Sequence, residues 1–198
     1  MEQRSEEWFE FRQKHIGASE VGAIMSVCPY RKPQDVWHEK VTGERKDLSS
    51  NPAVQRGIMW EDTIRDLYQR TYGLKLTTPT LEYEKWPILS ASLDGLSKSE
   101  HLIVEFKYPG EATFEAAKTS KKVPLHYMMQ IQTQMLIAKA RQAHFVCFRQ
   151  PDELAVVEIQ PDKIMQNMIL YSCFYFWQLV EKRIEIPELR NSLRGKKF

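Results

Sequence analysis

The sequence predicts an α/β fold, with a single layered domain in which helices flank a central mixed β-sheet. Three observations support this prediction. Apolar residues recur with helical spacing towards both ends of the chain, whereas residues 75–107 alternate like strands and are divided by proline and glycine. The 198 residues are 42% hydrophobic and 11% aromatic, which is enough to bury one substantial core. No repeat or low-complexity segment interrupts the pattern.

Six helices are predicted from capping residues, prolines and apolar spacing. Ser19 is a candidate N-cap, because its hydroxyl can accept from free N–H groups of a first helical turn. Asn51 followed by Pro52 should open a long helix that ends at Gly73. The expected helices cover residues 5–14, 20–25, 33–40, 52–73, 124–139 and 161–183.

The middle of the chain is expected to supply most of the sheet. Pro79, Pro87 and Gly95 separate its alternating segments into individual strands. Two further strands are expected on either side of a turn at Pro151. The expected strands cover residues 75–77, 81–83, 88–93, 101–107, 143–149 and 154–159.

Charge and cysteine content exclude some classes of protein and leave the partner open. The chain has 28 Lys and Arg against 26 Asp and Glu, and its pI of about 8.3 is lower than the value of roughly 9 typical of nucleic-acid-binding domains. The three cysteines form no CxxC pair, which argues against a zinc ribbon and suits a reducing cytoplasm. The longest apolar segment, residues 168–180, is shorter than the roughly 20 residues of a membrane span. We therefore expect a soluble cytoplasmic protein with no membrane contact.

The most informative segment is residues 102–107, Leu-Ile-Val-Glu-Phe-Lys. Because side chains alternate along a strand, Glu105 and Lys107 share one face. Asp94 ends the preceding strand just before Gly95, so two carboxylates and a lysine could meet at one site. Mg²⁺ favours such a site, since it takes one or two carboxylates together with water and substrate phosphate. The alternative is an ordinary Glu–Lys pair on an exposed sheet edge, next to a routine Asp-Gly turn.

Two of the expected helices carry polar residues among their apolar ones. Glu61 lies in the apolar stripe of the helix over residues 52–73, so it either reaches solvent at the edge of the stripe or meets a cation inside. The helix over residues 124–139 contains three glutamines, of which at least one must face the buried side. These are Gln130, Gln132 and Gln134.

Several short motifs follow one another along the chain. They are Glu7-Trp8-x-x-x-Arg12, Ile16-Gly17-Ala18-Ser19-Glu20-Val21, Arg56-Gly57-x-x-x-Glu61, Ser92-x-Asp94-Gly95, Glu105-x-Lys107 and Tyr127-x-x-Gln130-x-Gln132. In this order they resemble the phage lambda exonuclease family, also called YqaJ-like viral recombinases, of the PD-(D/E)XK nuclease superfamily. Leu93 departs from the superfamily pattern, which has proline before the aspartate, but that position is not a ligand. The resemblance implies a restriction-endonuclease-like core.

The resemblance also implies a metal centre. Asp94 and Glu105 would be the central ligands, joined by the main-chain carbonyl of Phe106. Glu61 would serve a second metal or its waters. Lys107 would activate or orient the attacking water. The implied cofactor is Mg²⁺, with Mn²⁺ as a substitute.

A second group of matching residues is implied to bind DNA. Gln130 would steady the lysine or the scissile phosphate. Arg12, Ser19 and Ser92 would bind a terminal 5′-phosphate, which suits the planar fork of an arginine. Val54 would wedge into the DNA end. Without the resemblance, Arg12 would be interpreted as a solvated helix residue and Val54 as ordinary packing.

The implied activity is a Mg²⁺-dependent 5′-to-3′ exonuclease that degrades one strand of linear double-stranded DNA and leaves 3′ overhangs. The enzyme would be a ring-shaped homotrimer that passes the surviving strand to a phage single-strand annealing protein for recombination. Two alternatives remain: an endonuclease of the same superfamily, of the repair or restriction type, and a non-catalytic DNA-end binding module. Residues 1–198 would form a single exonuclease domain. Its parts would be a helical phosphate-binding part (1–45), a catalytic core (51–160) and a C-terminal helix with a basic tail (161–198).

Overall fold

The computed structural model describes residues 5–44, 47 and 50–187, which form an α/β fold of the predicted class. Its helices are α1 (Glu6–Gln13), α2 (Val21–Ile24), α3 (Pro33–Thr42), α4 (Pro52–Tyr72), α5 (Glu111–Ser120), α6 (Leu125–Ala138) and α7 (Lys163–Glu181). Its strands are β1 (Ile16–Gly17), β2 (Thr80–Glu82), β3 (Leu89–Ser92), β4 (Gly95–Ser97), β5 (Leu102–Lys107), β6 (Gln142–Arg149) and β7 (Glu153–Ile159).

The strands form two mixed sheets, where the sequence predicted one. The first has the order β1-β3-β2 and the second β4-β5-β6-β7, with parallel pairing of β1 to β3 and of β5 to β6. The sheets separate at Asp94, between β3 and β4. There the carboxylate of Asp94 accepts a hydrogen bond from the main-chain N–H of Phe106 at 3.0 Å, while the N–H of Leu93 donates to the carbonyl of Pro79. The side chain of Asp94 thus accepts the hydrogen bond from Phe106 that a main-chain carbonyl would have accepted if the strand had continued.

Two strand predictions around this point were wrong. Residues 75–77 form no strand, and only Thr77 makes an isolated bridge, to Leu96. Conversely, Gly95 begins strand β4, although the sequence prediction treated it as a separator. A Cβ at Gly95 would lie 2.7 Å from Cδ1 of Leu76, so the glycine permits close packing of the strand.

The entry to the second helix also differs from the prediction. Ser19 is not an N-cap, because Ala18–Glu20 form a 3₁₀ turn ahead of α2. The side chain of Glu20 closes this turn by accepting from the main-chain N–H of Gly17 at 2.8 Å. Helix α5 was missed altogether, and it follows Gly110 after β5.

The two faces of β5 pack against different helices. Leu102, Val104 and Phe106 pack with residues of α4, whereas Ile103 belongs to a larger cluster that includes α2, α6 and α7. Strand β5 lies between β4 and β6, and Glu105 is only 1% exposed. The alternative of a Glu–Lys pair on an exposed sheet edge is therefore wrong.

Within the ranges that the structure describes, no helix is long and apolar enough to cross a membrane. The basic residues predicted for the C-terminal tail lie outside the described residues. These are Arg194, Lys196 and Lys197.

Candidate active site

A carboxylate–lysine centre lies where the break between β3 and β4 contacts β5. Asp94 occupies the break between β3 and β4, and Glu105 and Lys107 project from β5. The ammonium of Lys107 is ion-paired with Oε1 of Glu105, and the Asp94 carboxylate accepts from the N–H of Phe106, the residue between them. The three side chains that the sequence singled out thus share one site, as predicted.

Two glutamines of α6 hold the carboxylate of Glu105 from the other side. Nε2 of Gln130 donates to Oε1 at 2.7 Å, and Nε2 of Gln134 donates to Oε2 at 2.6 Å. Residues four apart lie on one face of a helix, so both amides reach the same carboxylate. Gln132 points elsewhere and binds the main chain at Gln160 and Asp162. The sequence predicted a specific role for Gln130 and none for Gln134, although their four-residue spacing could have indicated a shared partner.

The electrostatics of this centre are suited to a cation. Burial, together with the negative charges of Glu105 and Glu61, raises the pKa of Asp94 to about 8, although Lys107 lowers it. For Lys107, burial alone would lower the pKa, but the carboxylates of Glu105 and Asp94 outweigh it and raise the pKa above the ordinary lysine value. A divalent cation beside Asp94 and Glu105 would relieve the repulsion between their carboxylates.

The donor set fits a divalent metal ion such as Mg²⁺. Asp94 and Glu105 provide two carboxylates, the usual protein contribution to a magnesium site, and Phe106 has a main-chain carbonyl between the two charged residues of β5. Among the described residues, no cluster of three or more acidic, histidine or cysteine side chains has the arrangement of a metal site. Water and substrate phosphate would have to complete the coordination.

Glu61 lies at the same site but is held by an arginine. Nη2 of Arg65, one turn further along α4, lies 2.9 Å from Oε1 of Glu61. Nε of Arg65 donates to the main-chain carbonyl of Asp94 at 2.8 Å. Arg65 therefore ties α4 to the break between the sheets, and Glu61, whose side chain is 19% exposed, is paired with this arginine. The role of Glu61 at a second metal stays a prediction.

A cavity of about 1290 Å³ connects this centre to the N-terminal segment. Every residue that the sequence analysis singled out as a site residue lines it. They are Arg12, Ser19, Val54, Glu61, Ser92, Asp94, Glu105, Phe106, Lys107 and Gln130. The structure therefore brings the two predicted groups of residues into one space.

The predicted phosphate-binding residues form a second cluster in this cavity. Nη1 of Arg12 donates to the hydroxyl of Ser19 at 3.3 Å, and its guanidinium lies 4.8 Å from the ring centroid of Trp8. Nε1 of Trp8 in turn donates to the hydroxyl of Ser92 at 2.9 Å. Arg12 is thus part of a packed cluster, and the alternative of a simple solvated residue is wrong.

Arg12 also belongs to an ion cluster around the buried carboxylate of Glu20, which the sequence did not predict. The other members of this buried ion cluster are Arg31 and Lys40. Glu20 is 2% exposed and lies 3.0 Å from Nη2 of Arg12, 3.7 Å from Nη1 of Arg31 and 2.8 Å from Nζ of Lys40. Burial alone would raise the pKa of Glu20, but these three cations outweigh it and lower that pKa to about 2. Lys40 also donates to the main-chain carbonyl of Arg12 at 2.6 Å.

Comparison with known proteins agrees with the motifs. A family profile of the YqaJ-like viral recombinase domain matches residues 7–141, about two-thirds of the chain. The chain belongs to this family. The uncharacterized protein YqaJ of Bacillus subtilis (strain 168) is 23% identical over 180 residues, which are 89% of this chain and 56% of that protein. The chain thus spans just over half the length of this relative.

Solved structures of exonucleases share the fold of this family member. The alkaline exonuclease LHK-Exo from Laribacter hongkongensis, solved in complex with dAMP, is 26% identical with a TM-score of 0.79, and the match covers 91% of this chain and 94% of that one. A phage-related exonuclease from Haemophilus somnus 129PT matches with 19% identity and a TM-score of 0.65, over 85% of this chain and 96% of that one. The predicted resemblance to the YqaJ-like viral recombinases is confirmed.

The buried ion cluster of this YqaJ-like chain should control its stability in acid. Glu20→Gln is expected to lower the free energy of unfolding by about 3–5 kcal/mol at neutral pH, because it leaves the buried ammonium of Lys40 without its carboxylate. The folded pKa of about 2 lies below the ordinary value of 4.5, so this contribution is complete above pH 4.5 and is lost as the pH falls towards 2.

Urea denaturation of the two proteins over a series of pH values measures this effect. The difference in free energy of unfolding should shrink as the pH falls below 4.5. Glu84→Gln is the control, since it removes one partner of an exposed pair with Lys139. A difference for Glu20→Gln that is as small as that of the control at neutral pH would contradict the prediction.

Proposed function

We propose that this protein is a DNA exonuclease that depends on a divalent metal ion, with Mg²⁺ as the cofactor and Mn²⁺ as a substitute. The observation that supports it best is the shared cavity. One end holds two carboxyl groups and a lysine, and the other holds an arginine anchored beside a serine hydroxyl. Such a pair of sites suits phosphodiester cleavage at a fixed distance from a terminal phosphate. Membership of the YqaJ-like viral recombinase family, with alkaline exonucleases among the structural relatives, supports the same proposal.

The chemistry follows from the charges of the site. A divalent ion, when bound, supplies Lewis-acid stabilisation of the charge that develops on the phosphate. Asp94, Glu105 and the carbonyl of Phe106 would hold it. Lys107, whose ammonium is paired with Glu105, would activate or orient the attacking water. Gln130 acts through Glu105, which it holds by a hydrogen bond.

The polarity of degradation is part of the proposal. Arg12 and Ser19, with Ser92 joined to them through Trp8, would bind the 5′-phosphate of the strand being degraded. The cleaved strand would then be shortened from its 5′ end, leaving a 3′ single-stranded overhang on the duplex. Val54, at the start of α4 on the cavity wall, would separate the strands at the DNA end.

The deciding experiment is a cleavage assay with Mg²⁺ and with EDTA on linear and closed circular DNA of one sequence. The proposal expects release of nucleotides from the linear duplex, dependent on Mg²⁺, and a surviving strand with an intact 3′ end. Cleavage of closed circles would favour an endonuclease of the same superfamily. Binding of DNA ends without any metal-dependent cleavage would favour the non-catalytic end-binding module.

We further propose that the active form is a homotrimer that acts as a single nuclease domain in the cytoplasm. It would pass the overhang to a phage single-strand annealing protein for recombination. Sedimentation equilibrium should then give a mass of about three chains at micromolar concentration. A stable monomer under these conditions would contradict the ring, although it would leave the cleavage chemistry in place.

A further inference from the structure

The carboxylate of Glu20, which lies behind the part of the cavity wall formed by Gly17, Ala18 and Ser19, has no role in the cleavage chemistry. Glu20 is 2% exposed, and its position in the 3₁₀ turn places it behind Arg12 and Ser19. Burying a carboxylate is costly unless cations and hydrogen-bond donors compensate it. Three cations surround this carboxylate, which is more positive charge than its neutralisation requires.

The carboxylate of Glu20 is fixed independently of Arg12. Its Oε2 accepts from the main-chain N–H of Gly17 at 2.8 Å and lies 2.8 Å from Nζ of Lys40. Its Oε1 accepts from the same Nζ at 3.0 Å. Lys40 is itself anchored, since it donates to the main-chain carbonyl of Arg12 and its side chain is 2% exposed. Glu20 therefore offers a rigid acceptor to the guanidinium.

Arg12 is held in one orientation by this acceptor and by its other neighbours. Nη2 lies 3.0 Å from Glu20, Nη1 donates to Ser19, and the guanidinium lies over the ring of Trp8. A Cβ on Gly17 would lie 3.4 Å from Cζ of Arg12, so the main chain at Gly17 packs closely against another side of the guanidinium. A guanidinium has five N–H donors. Only part of this fork is used by residues that the structure describes, and Arg12 lines the cavity.

We propose that Glu20 is a positioning residue that fixes the guanidinium of Arg12 for binding of the terminal phosphate, whereas Lys40 serves the scaffold. This inference rests on the proposed function, because it assigns the proposed phosphate-binding arginine a partner. A carboxylate that holds one edge of the fork fixes the orientation of the whole guanidinium, which reduces the rotamer freedom lost on binding. Without Glu20, Arg12 and Arg31 would repel each other, and Arg12 would lose its fixed orientation.

The proposed positioning role of Glu20 predicts different end preferences for two variants, whereas a purely structural role predicts the same end preference for both. Lys40→Met removes the scaffold ammonium but leaves the carboxylate of Glu20 facing Arg12 and Arg31. Glu20→Gln/Lys40→Met removes both members of the buried pair, which avoids an unpaired buried charge and protects the fold. Initial rates on duplexes with a 5′-phosphate and with a 5′-hydroxyl end give the end preference of each variant. Thermal unfolding of each variant gives its stability.

We expect Lys40→Met to keep the preference for 5′-phosphorylated ends. In the double variant, the ratio of the rates on phosphorylated and hydroxyl ends should fall by about tenfold, which is the effect of losing one charged hydrogen bond. The loss should appear as a higher KM on phosphorylated ends with little change in kcat. Tyr68→Phe is the control for stability, because it removes a buried hydrogen bond to His144 at 2.6 Å, outside the cavity. Its end preference should equal that of the unmutated protein.

The possible outcomes distinguish this inference from the function on which it rests. If the unmutated protein prefers phosphorylated ends and the double variant keeps that preference, the positioning role of Glu20 is wrong while the phosphate site stands. An equal loss of end preference in Lys40→Met and in the double variant would also overturn the positioning role of Glu20. In that case the hydrogen bond from Lys40 to the carbonyl of Arg12 would position the arginine. If the unmutated protein shows no preference, or no cleavage, the proposed function itself fails.

Discussion

Lys107→Ala is expected to lower the rate of DNA cleavage by about 10²–10³-fold, the usual effect of removing one positioned group that stabilises the charge developing in the transition state. The ammonium of Lys107 is paired with Glu105, and its pKa is raised by Glu105 and Asp94, so the variant removes a fixed positive charge from the site. Asp94→Asn and Glu105→Gln should reduce cleavage to background, because each removes a carboxylate that would hold the metal ion.

The fold should survive these changes better than the activity. Asp94→Asn keeps a side-chain oxygen that can still accept from the N–H of Phe106, the bond that ends the pairing at the break between the sheets. Lys118→Ala is a matched control, since it removes an exposed lysine paired with Glu153 away from the cavity. Rates should be measured in single-turnover reactions at saturating Mg²⁺, with thermal unfolding to verify the fold. Near-normal turnover of Lys107→Ala would show that the site has been assigned wrongly.

The segment that carries Glu105 and Lys107 could be predicted because its signal is local. Alternation along a single strand is enough to place Glu105 and Lys107 on one face, and the apolar residues on either side of Glu105, Val104 and Phe106, on the other. Asp94 reaches the same site because it directly precedes β4, the strand that pairs with β5. The structure adds the sharing of Glu105 by Lys107, Gln130 and Gln134, which depends on the approach of α6 to β5.

The remaining differences come from contacts between residues far apart in sequence. Gly95 looks like a turn residue in the sequence, and only the close approach of Leu76 explains why glycine stands within a strand. The partners of Glu20 come from α1, from the segment before α3 and from α3 itself, so no local sequence pattern predicts the ion cluster. Likewise, Arg65 occupies an ordinary position of a helix and gains its role through the carbonyl of Asp94.

Arg12→Ala is expected to remove the preference for 5′-phosphorylated ends, slowing digestion of these ends by about ten- to a hundredfold. Loss of one charged hydrogen-bonding partner typically costs about 1.5–3 kcal/mol, which corresponds to this range. A terminal phosphate carries more negative charge than an internal diester near neutral pH, and an arginine fork can bind two of its oxygens. The position of Arg12 between Ser19 and the Trp8 ring, in the same cavity as Lys107, is what such binding requires.

Four initial rates test this prediction: two proteins, each on a duplex with a 5′-phosphate and on the same duplex with a 5′-hydroxyl. Salt must be held constant, because contacts to phosphate are screened by ions. Arg12→Lys should restore the preference only in part, since lysine supplies the charge without the planar fork. Arg149→Ala is the control, as Arg149 is an arginine paired with Glu111 and Glu115 outside the cavity. If Arg12→Ala slowed both substrates equally, Arg12 would contribute to binding of the duplex in general, and recognition of the 5′ end would have to lie in other residues.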